Sequence, residues 1–334
     1  HAGIMVLPAD TKVGLPASEY FKIYKDTVFE IGLTPNRADA ISHYGVAHDL
    51  VAAINIRNKP TQPLDLIKPA AGKYNTSGKA DIEVVLQNPE ACKRYCGVTV
   101  SGIKVAESPQ WLKDALGAIG IRAINNIVDI TNYVLHETGQ PLHAFDADKI
   151  KGNKVIVRKA KAGETIVTLD GAERKLHSDD LMICNDSEAM CIAGVYGGIE
   201  SGVKETTTRV FIESAYFEPS HVRKTARRYG LHTDASFRFE RGVDIGNTPY
   251  AMRRATDLIL EVCPGATVSV EQDVYPVKAE ERNLDFSTAF GRKLLGHDVS
   301  DAEMENILHN VGIKITSRDG GNWKLGLPTY RMDI

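Results

Sequence analysis

The sequence has no apolar run approaching the roughly 18 residues that a membrane-spanning helix needs, so no stretch of it reads as a transmembrane segment. It has little net charge. Forty Lys and Arg against 43 Asp and Glu leave a formal charge of -3. That excludes a polycation, and any contact with nucleic acid has to come from local basic patches. Cysteine is sparse and follows no framework: Cys92, Cys96, Cys184, Cys191 and Cys263. An odd number without regular spacing argues against a disulfide-stapled secreted protein. Cys92 and Cys96 are four apart, but no second pair accompanies them to complete a zinc site. The opening "HAGIMVLPAD" lacks the basic-then-apolar order of a signal peptide. The cytoplasm is the expected compartment. The sequence also has no GxSxG, HExxH, GxxxxGK[ST] or GxGxxG, which removes the common signatures of hydrolase elbows, zinc proteases, P-loops and dinucleotide folds.

What is present is ordinary globular composition, 43% hydrophobic and 25% charged, in a length that suits two or three domains. The chain begins mid-pattern without methionine and stops at "PTYRMDI" as an extended segment forms, so it reads as a piece of a larger polypeptide. Residues 1–30 alternate apolar and turn residues and predict short strands. From Thr34, taken as N-cap with Pro35 inside, apolar spacing predicts a long amphipathic helix to Ile54. A Pro-, Gly- and Ser-rich linker follows. From Asp81 to about 275, strands and helices mix. "DIEVVL", "RYCGVTV", "KVIVRKA", "LMICND" and "RVFIESAYF" predict strands, and Asp170-Gly171 marks a hairpin. Ser108 and Pro109 predict the start of one helix. "NNIVDITNYVLHETG", "SHVRKTARRYGL" and "NTPYAMRRATDLILEVC" predict others. A last unit holds a helix, a helix with a Ser300/Glu303 capping box, and a hairpin around Asp319-Gly320-Gly321, which is a winged helix in outline. No internal repeat or low-complexity segment is found.

Several residues have both a plain and a functional reading. "GQPLHAFDADKI" holds His143, which is either a structural histidine at a helix end or a proton-transfer group. "AGVYGG", Ala193 to Gly198, is a tight turn or a place where backbone approaches a ligand. Glu213, on an apolar strand, is paired structurally or aimed into a pocket. "HTDASFRFERG" alternates polar and apolar residues, and Arg238, Glu240 and Arg241 suggest a salt-bridge network. Arg223, Lys224, Arg227 and Arg228 share one helix, as a solvated face or a phosphate contact. The candidate pocket is Thr131, Asn132, His143, the Gly197 turn and Glu213.

Together, "LTPNRADAISHYGVAHDLVAA", "NNIVDITNYVLHETGQPLHAFDADKI", "AGVYGG", "FIESAYFEPSHVRKTARRYGLHTDASFRFERGVD" and "LPTYRMDI" resemble the β subunit of bacterial phenylalanine–tRNA ligase, over essentially all 334 residues. The resemblance implies an α+β, multi-domain chain. Residues 1–30 would end an OB-type tRNA-binding insertion and 31–74 would be a B1 segment and linker. Residues 75–275 would be the B3/B4 editing domain, and 276–334 an incomplete, winged-helix-like B5 domain. It also implies tRNA(Phe) and an α subunit as partners in an α2β2 assembly, with no membrane. ATP and Mg2+ are implied for the full enzyme, with neither expected on this stretch.

The implied activity is hydrolysis of mischarged Tyr-tRNA(Phe). Tyrosine is phenylalanine plus a hydroxyl, which an apolar pocket rejects by only about a hundredfold. A second site with a buried acceptor can read that hydroxyl. By resemblance Glu213 is the acceptor and His143 lines the site near the ester and terminal adenosine. Thr131 and Asn132 hold substrate or water. Gly194 and Gly197 give backbone approach, and Thr233 and Ala235 shape the wall. No serine or cysteine has an obvious base partner, so a positioned water is the expected nucleophile. Asp333 matches the first of several acidic magnesium ligands, the rest lying beyond Ile334. The alternative is a non-catalytic module that positions tRNA and contacts the α subunit. A nucleic-acid binder acting through the last unit is disfavoured by the acidic helix "SDAEMENILHNVG".

Overall fold

The computed structural model describes residues 3–334 and has the mixed α+β architecture that the sequence predicts. The strands predicted before residue 31 do not form among the described residues, and residues 1 and 2 lie outside them. One short helix, α1 (Ala17–Tyr20), is the only regular element there among the described residues. A strand needs a neighbour to take its N–H and C=O groups. No described edge pairs with this segment, and Ile4, Val28 and Phe29 stand exposed. The long helix α2 (His43–Asn58) starts at Ser42, not Thr34. The Ser42 hydroxyl accepts from the Gly45 N–H at 2.9 Å. Gly45 backs so closely on Asp39 that a Cβ would lie 2.1 Å from its carbonyl oxygen. The chain therefore doubles back between Asp39 and Gly45, which no continuous helix allows. Residues 59–80 then run without helix or strand, apart from an isolated bridge at Thr76.

The central unit follows in chain order. It has β1 (Glu83–Leu86), β2 (Cys92–Ser101), α3 (Gln110–Ala118), α4 (Asn126–Thr138) and β3 (Leu142–Asp146). Next come β4 (Lys154–Lys159), the hairpin β5 (Thr165–Val167) and β6 (Glu173–Lys175), β7 (Leu181–Cys184), β8 (Ala189–Ile192) and β9 (Tyr196–Gly197). It ends with β10 (Arg209–Phe217), α5 (Pro219–Tyr229), α6 (Asp234–Phe239), α7 (Thr248–Val262), β11 (Thr267–Val268) and β12 (Gln272–Val274). Two sheets form, one in the order β1-β4-β7-β8-β9 and the other β11-β2-β10-β3. Alternation along β10 sends Phe211, Glu213, Ala215 and Phe217 to one face and Val210 and Ile212 to the other. The first face meets Val157, Ile183 and Ile192 of the opposing sheet. The second is covered by Ile127, Ile130 and Val134 of α4 and Ala255 and Ile259 of α7. Burial on both faces explains why β10 is mostly apolar.

Two local expectations change. Ser108 does not cap α3; its hydroxyl donates to the buried Asp129 carboxylate at 2.5 Å, and Pro109 takes the cap position. The stretch around 232–242 holds α6, which the reciprocal capping box of Thr233 and Ser236 starts. His143 stands on strand β3 instead of ending a helix, since Gly139 adopts φ +80° and stops α4 before it.

The last unit has β13 (Arg282–Ser287), α8 (Thr288–Leu295), α9 (Asp301–Asn310), β14 (Lys314–Asp319) and β15 (Asn322–Leu327). Its sheet order is β13-β15-β14, packed on Val299, Met304, Ile313, Trp323 and Leu325. Ser300 caps α9 by accepting from the Glu303 N–H. This is the winged-helix outline.

On β2, Gly97 has the buried Phe211 ring laid across it, with Cζ 2.2 Å from where a Cβ would stand. Gly97→Ala is expected to destabilise by about 1–3 kcal/mol through overpacking. Gly117→Ala, in α3 with nothing within 4 Å of its Cβ position, is expected to stabilise by up to about 1 kcal/mol. Urea melts of the two variants check the contrast, and equal effects would refute it.

Candidate functional site

Strand register assembles the site. Glu213 on β10 lies opposite Gly97 of β2 on one side and His143 of β3 on the other. Directly opposed residues share a face, with Cβ atoms about 5 Å apart. Glu213 and His143 therefore both look into the space between the sheets. Glu213 is 5% exposed. Its Oε2 accepts from the phenol of the fully buried Tyr95 at 2.5 Å. Burial raises its pKa to about 8, against the opposing pull of the Tyr95 hydrogen bond. The carboxyl is thus largely protonated at neutral pH. Burial, together with the Glu213 carboxyl, pushes the Tyr95 phenol well above its usual range, so it stays a donor. A carboxyl holding one phenol keeps acceptor capacity for a second hydroxyl.

The His143 ring lies edge-on to Phe145, with centroids 4.4 Å apart. Its Nε2 is buried without a hydrogen-bond partner among the described residues. Burial lowers its pKa to about 4. It is neutral at pH 7 and a weak base. Gly197 closes over it, and a Cβ there would stand 3.1 Å from His143 Cε1 and 3.0 Å from Leu169 Cδ1. Thr233 fastens the start of α6 to the same glycine turn. Its Oγ1 donates to the Val195 carbonyl at 3.1 Å and accepts from the Ser236 N–H. Ala235 packs on the adjoining core.

Other predicted residues stand apart. Gly194 has φ +68°, and Phe217, Phe239 and Val222 crowd its Cβ position at 3.0–3.2 Å, so a left-handed turn in the core is what requires glycine there. Thr131 and Asn132 lie on α4, which packs by Ile127, Ile130 and Val134 on the far face of the sheet. The Thr131 hydroxyl donates back to the Val128 carbonyl at 2.7 Å. Asp333 accepts from Arg331 Nε at 2.9 Å and Asn36 Nδ2 at 3.0 Å, and the Arg331 bond holds its pKa down at about 2. Donors thus occupy that carboxylate, and no cluster of three or more His, Cys, Asp or Glu suited to a metal occurs among the described residues. The residues present do not fit a magnesium site. Cys92 and Cys96 point into different cores. The expected Arg238 network resolves into separate contacts, Arg238 with Asp234 and Arg241 with Glu240. On α5, Arg228 pairs with Asp180, while Lys224 and Arg227 are exposed. A separate cleft is lined by Tyr44, His48, Lys68, Gln140, Asp244 and Tyr330, and by none of the predicted site residues.

Tyr95 is the site residue that sequence reasoning missed. It lies 118 positions from Glu213, and only the β2–β10 register brings the two together. The T-x-x-S pattern from Thr233 to Ser236 was the available signal for α6.

The B3/4 domain family matches residues 91–264, and the tRNA synthetase B5 domain family matches residues 284–334. The phenylalanine–tRNA ligase β subunit of Bacteroides fragilis is 48% identical over 335 residues, covering 100% of this chain and 40% of that protein. The Geobacter sulfurreducens β subunit is 40% identical, covering 99% of this chain and 41% of that protein. The chain thus spans about 40% of the length of these curated relatives. A crystal structure of an N-terminal fragment of the Pyrococcus horikoshii phenylalanyl-tRNA synthetase β subunit covers 90% of this chain and 81% of that one. The identity is 17% and the TM-score 0.41, too loose to carry an argument.

Glu213 and the half-buried His143 make opposite demands on pH. Glu213 holds its proton more tightly folded than unfolded, so its contribution is greatest below 4.5 and is lost as pH rises to about 8. His143 is depressed, so its contribution grows as pH rises from about 4 to 6.5. Glu213→Gln removes only the first effect. The melting temperature of the unaltered protein is expected to fall relative to that of Glu213→Gln between about pH 5 and 8.5. Parallel curves would show that the carboxyl ionises normally.

Proposed function

The chain belongs to the B3/4 domain family and matches phenylalanine–tRNA ligase β subunits along its whole length; on that premise we propose that it carries an editing site that hydrolyses tyrosine wrongly esterified to tRNA(Phe). The observation that carries this reading is Glu213, a buried carboxyl on an apolar strand that already accepts a phenol from Tyr95 at 2.5 Å. A tyrosine substrate offers the same donor. Phenylalanine would leave the acceptor capacity unmet, at a cost of about 1–3 kcal/mol.

In this reading the phenol lies toward Glu213 and the ester beside His143. A water adds to the ester carbonyl, the bond to the ribose oxygen breaks, and the ribose hydroxyl leaves with a proton. His143, neutral and with Nε2 free, accepts a hydrogen bond from that water and orients it. Its pKa near 4 makes it a positioning group and a poor proton acceptor. Gly197 leaves room for the ester, and Thr233 and Ala235 fix the wall beside it. Thr131, Asn132 and Gly194 support the site through the sheet and turn on which it stands.

The wider assignment rests on the same resemblance. Residues 1–30 end an OB-type insertion, 31–74 are B1 and linker, 75–275 the editing domain and 276–334 B5. The α subunit and tRNA(Phe) are the partners in an α2β2 ligase. ATP and Mg2+ serve the synthetic step of the whole enzyme, and Asp333, engaged by Arg331 and Asn36, takes no part in it here.

The test is deacylation of tyrosyl-tRNA(Phe) and phenylalanyl-tRNA(Phe) by the chain and by Glu213→Ala. Selective release of tyrosine is expected, with selectivity falling about tenfold or more in the variant. A folded chain that releases neither amino acid would favour a tRNA-positioning, subunit-contacting module.

A further inference from the structure

The cleft bordered by Tyr44, Lys68 and Asp244 has a volume of about 180 Å³, and neither Glu213 nor His143 lines it. Five separate parts of the chain build its walls. They are the start of α2, the linker at Lys68, the turn after α4 at Gln140, the loop from Gly242 to Asn247, and Tyr330. Sites for drug-sized ligands run from roughly 300 to 1,000 Å³, so this cleft suits a smaller molecule.

The cleft holds two charges of opposite sign that are not paired. Lys68 Nζ donates to Asn247 Oδ1 at 2.9 Å, and it sits 3.7 Å from the centroid of the Tyr250 ring and 5.4 Å from that of Tyr44. Only one of its three donors is used in a hydrogen bond. No carboxylate lies within 4.0 Å of it among the described residues. Asp244 accepts from the Gly246 N–H at 2.8 Å and has no cation within 4.0 Å among the described residues. Burial pushes the Lys68 pKa down and Asp244 pulls it back up, so the two charges lie near each other without touching. The other carboxylate on the wall, Asp39, is taken by Arg37 Nε and Nη2 at 3.0 and 2.9 Å. His48 Nε2 stands 3.5 Å from the Tyr330 hydroxyl. At the floor Gln140 is 1% exposed. Its Nε2 donates to the Pro141 and Ala215 carbonyls at 3.1 and 2.9 Å, which fixes the two ends of the amide. Its Oε1 is buried without a partner among the described residues. A buried acceptor left unpaired is costly and calls for a donor.

We propose that this cleft binds a free α-amino acid with an apolar side chain, its carboxylate on Lys68 and its ammonium on Asp244 and Gln140 Oε1. An α-amino acid carries both charges on one carbon, so it can bridge two protein charges that do not touch each other. An anion alone would satisfy Lys68 and be repelled by Asp244, and a cation alone would meet the reverse. A zwitterion meets both. Val243 and the rings of Tyr44 and Tyr330 are left to cover its side chain. The inference does not depend on the editing reading of Glu213 and His143. A bound amino acid would tie the segment before residue 80 and Tyr330 to the central unit, and so raise the stability of the folded chain.

The test is calorimetry with L-phenylalanine as the probe. A Kd on the order of 0.1–1 mM is expected, the scale for a ligand of about twelve heavy atoms. L-phenylalaninamide, which lacks the carboxylate, and 3-phenylpropionate, which lacks the ammonium, are each expected to bind about tenfold more weakly. Lys68→Met and Asp244→Asn are each expected to weaken L-phenylalanine about tenfold while the melting temperature without ligand stays unchanged. Glu213→Ala is expected to leave binding unchanged. Absence of binding at about 10 mM overturns the proposal. Binding that is lost in Glu213→Ala and kept in both cleft variants also overturns it, since the amino acid would then sit between the sheets. Equal affinity for L-phenylalanine, the amide and the acid overturns it too, because the cleft would then read only the ring. The two analogues need no variant, so this last outcome stands whatever a substitution does to the fold.

Discussion

The structure turns on one buried hydrogen bond, from the Tyr95 phenol to the Glu213 carboxyl at 2.5 Å. A carboxyl between two sheets is costly unless it is neutral or paired. Here it is both. Burial keeps the proton on, with a pKa near 8, and the phenol supplies a partner. This is possible only because β10 lies inside its sheet, with β2 bringing Tyr95 from one side and β3 bringing His143 from the other. An edge strand would have let water in and restored an ordinary carboxylate.

His143 is shaped by the same dry environment in the opposite sense. Burial keeps its proton off, with a pKa near 4. A protonated carboxyl and a neutral imidazole thus face each other across adjacent strands, and neither carries charge at neutral pH. Such a pair has the chemistry to accept a hydrogen bond from a hydroxyl or a water, and it presents no charge to an anion. The rest of the central unit serves this pair. α4 and α7 seal the outer face of the sheet, while the opposing sheet and the glycine turn close the inner one.

Much of this was legible in the sequence. The α+β class, the strand "RVFIESAYF", the hairpin at Asp170-Gly171 and the winged-helix outline follow from periodicity and turn chemistry, which act over a few residues. Glu213 and His143 stood out because a carboxylate in an apolar strand and a histidine between proline and phenylalanine are locally odd. The misses also have physical causes. Residues 3–30 have strand-like alternation but no partner edge. Ser108 has cap chemistry, but the Asp129 carboxylate captures its hydroxyl. Thr34 has cap chemistry too, but the tight approach of Gly45 to Asp39 forces the helix to begin later.

By itself the sequence determined most of the helices, strands and turns from residue 81 onward, and which residues carry unusual chemistry, because these depend on neighbours within a few positions. Tertiary structure alone decided that Tyr95 meets Glu213, that His143 opposes it, that the helix carrying Thr131 and Asn132 packs on the other face of the sheet, and that Leu169 stands over Gly197. Those facts depend on strand register between segments far apart in the chain. A shift of one residue would turn each side chain to the other face.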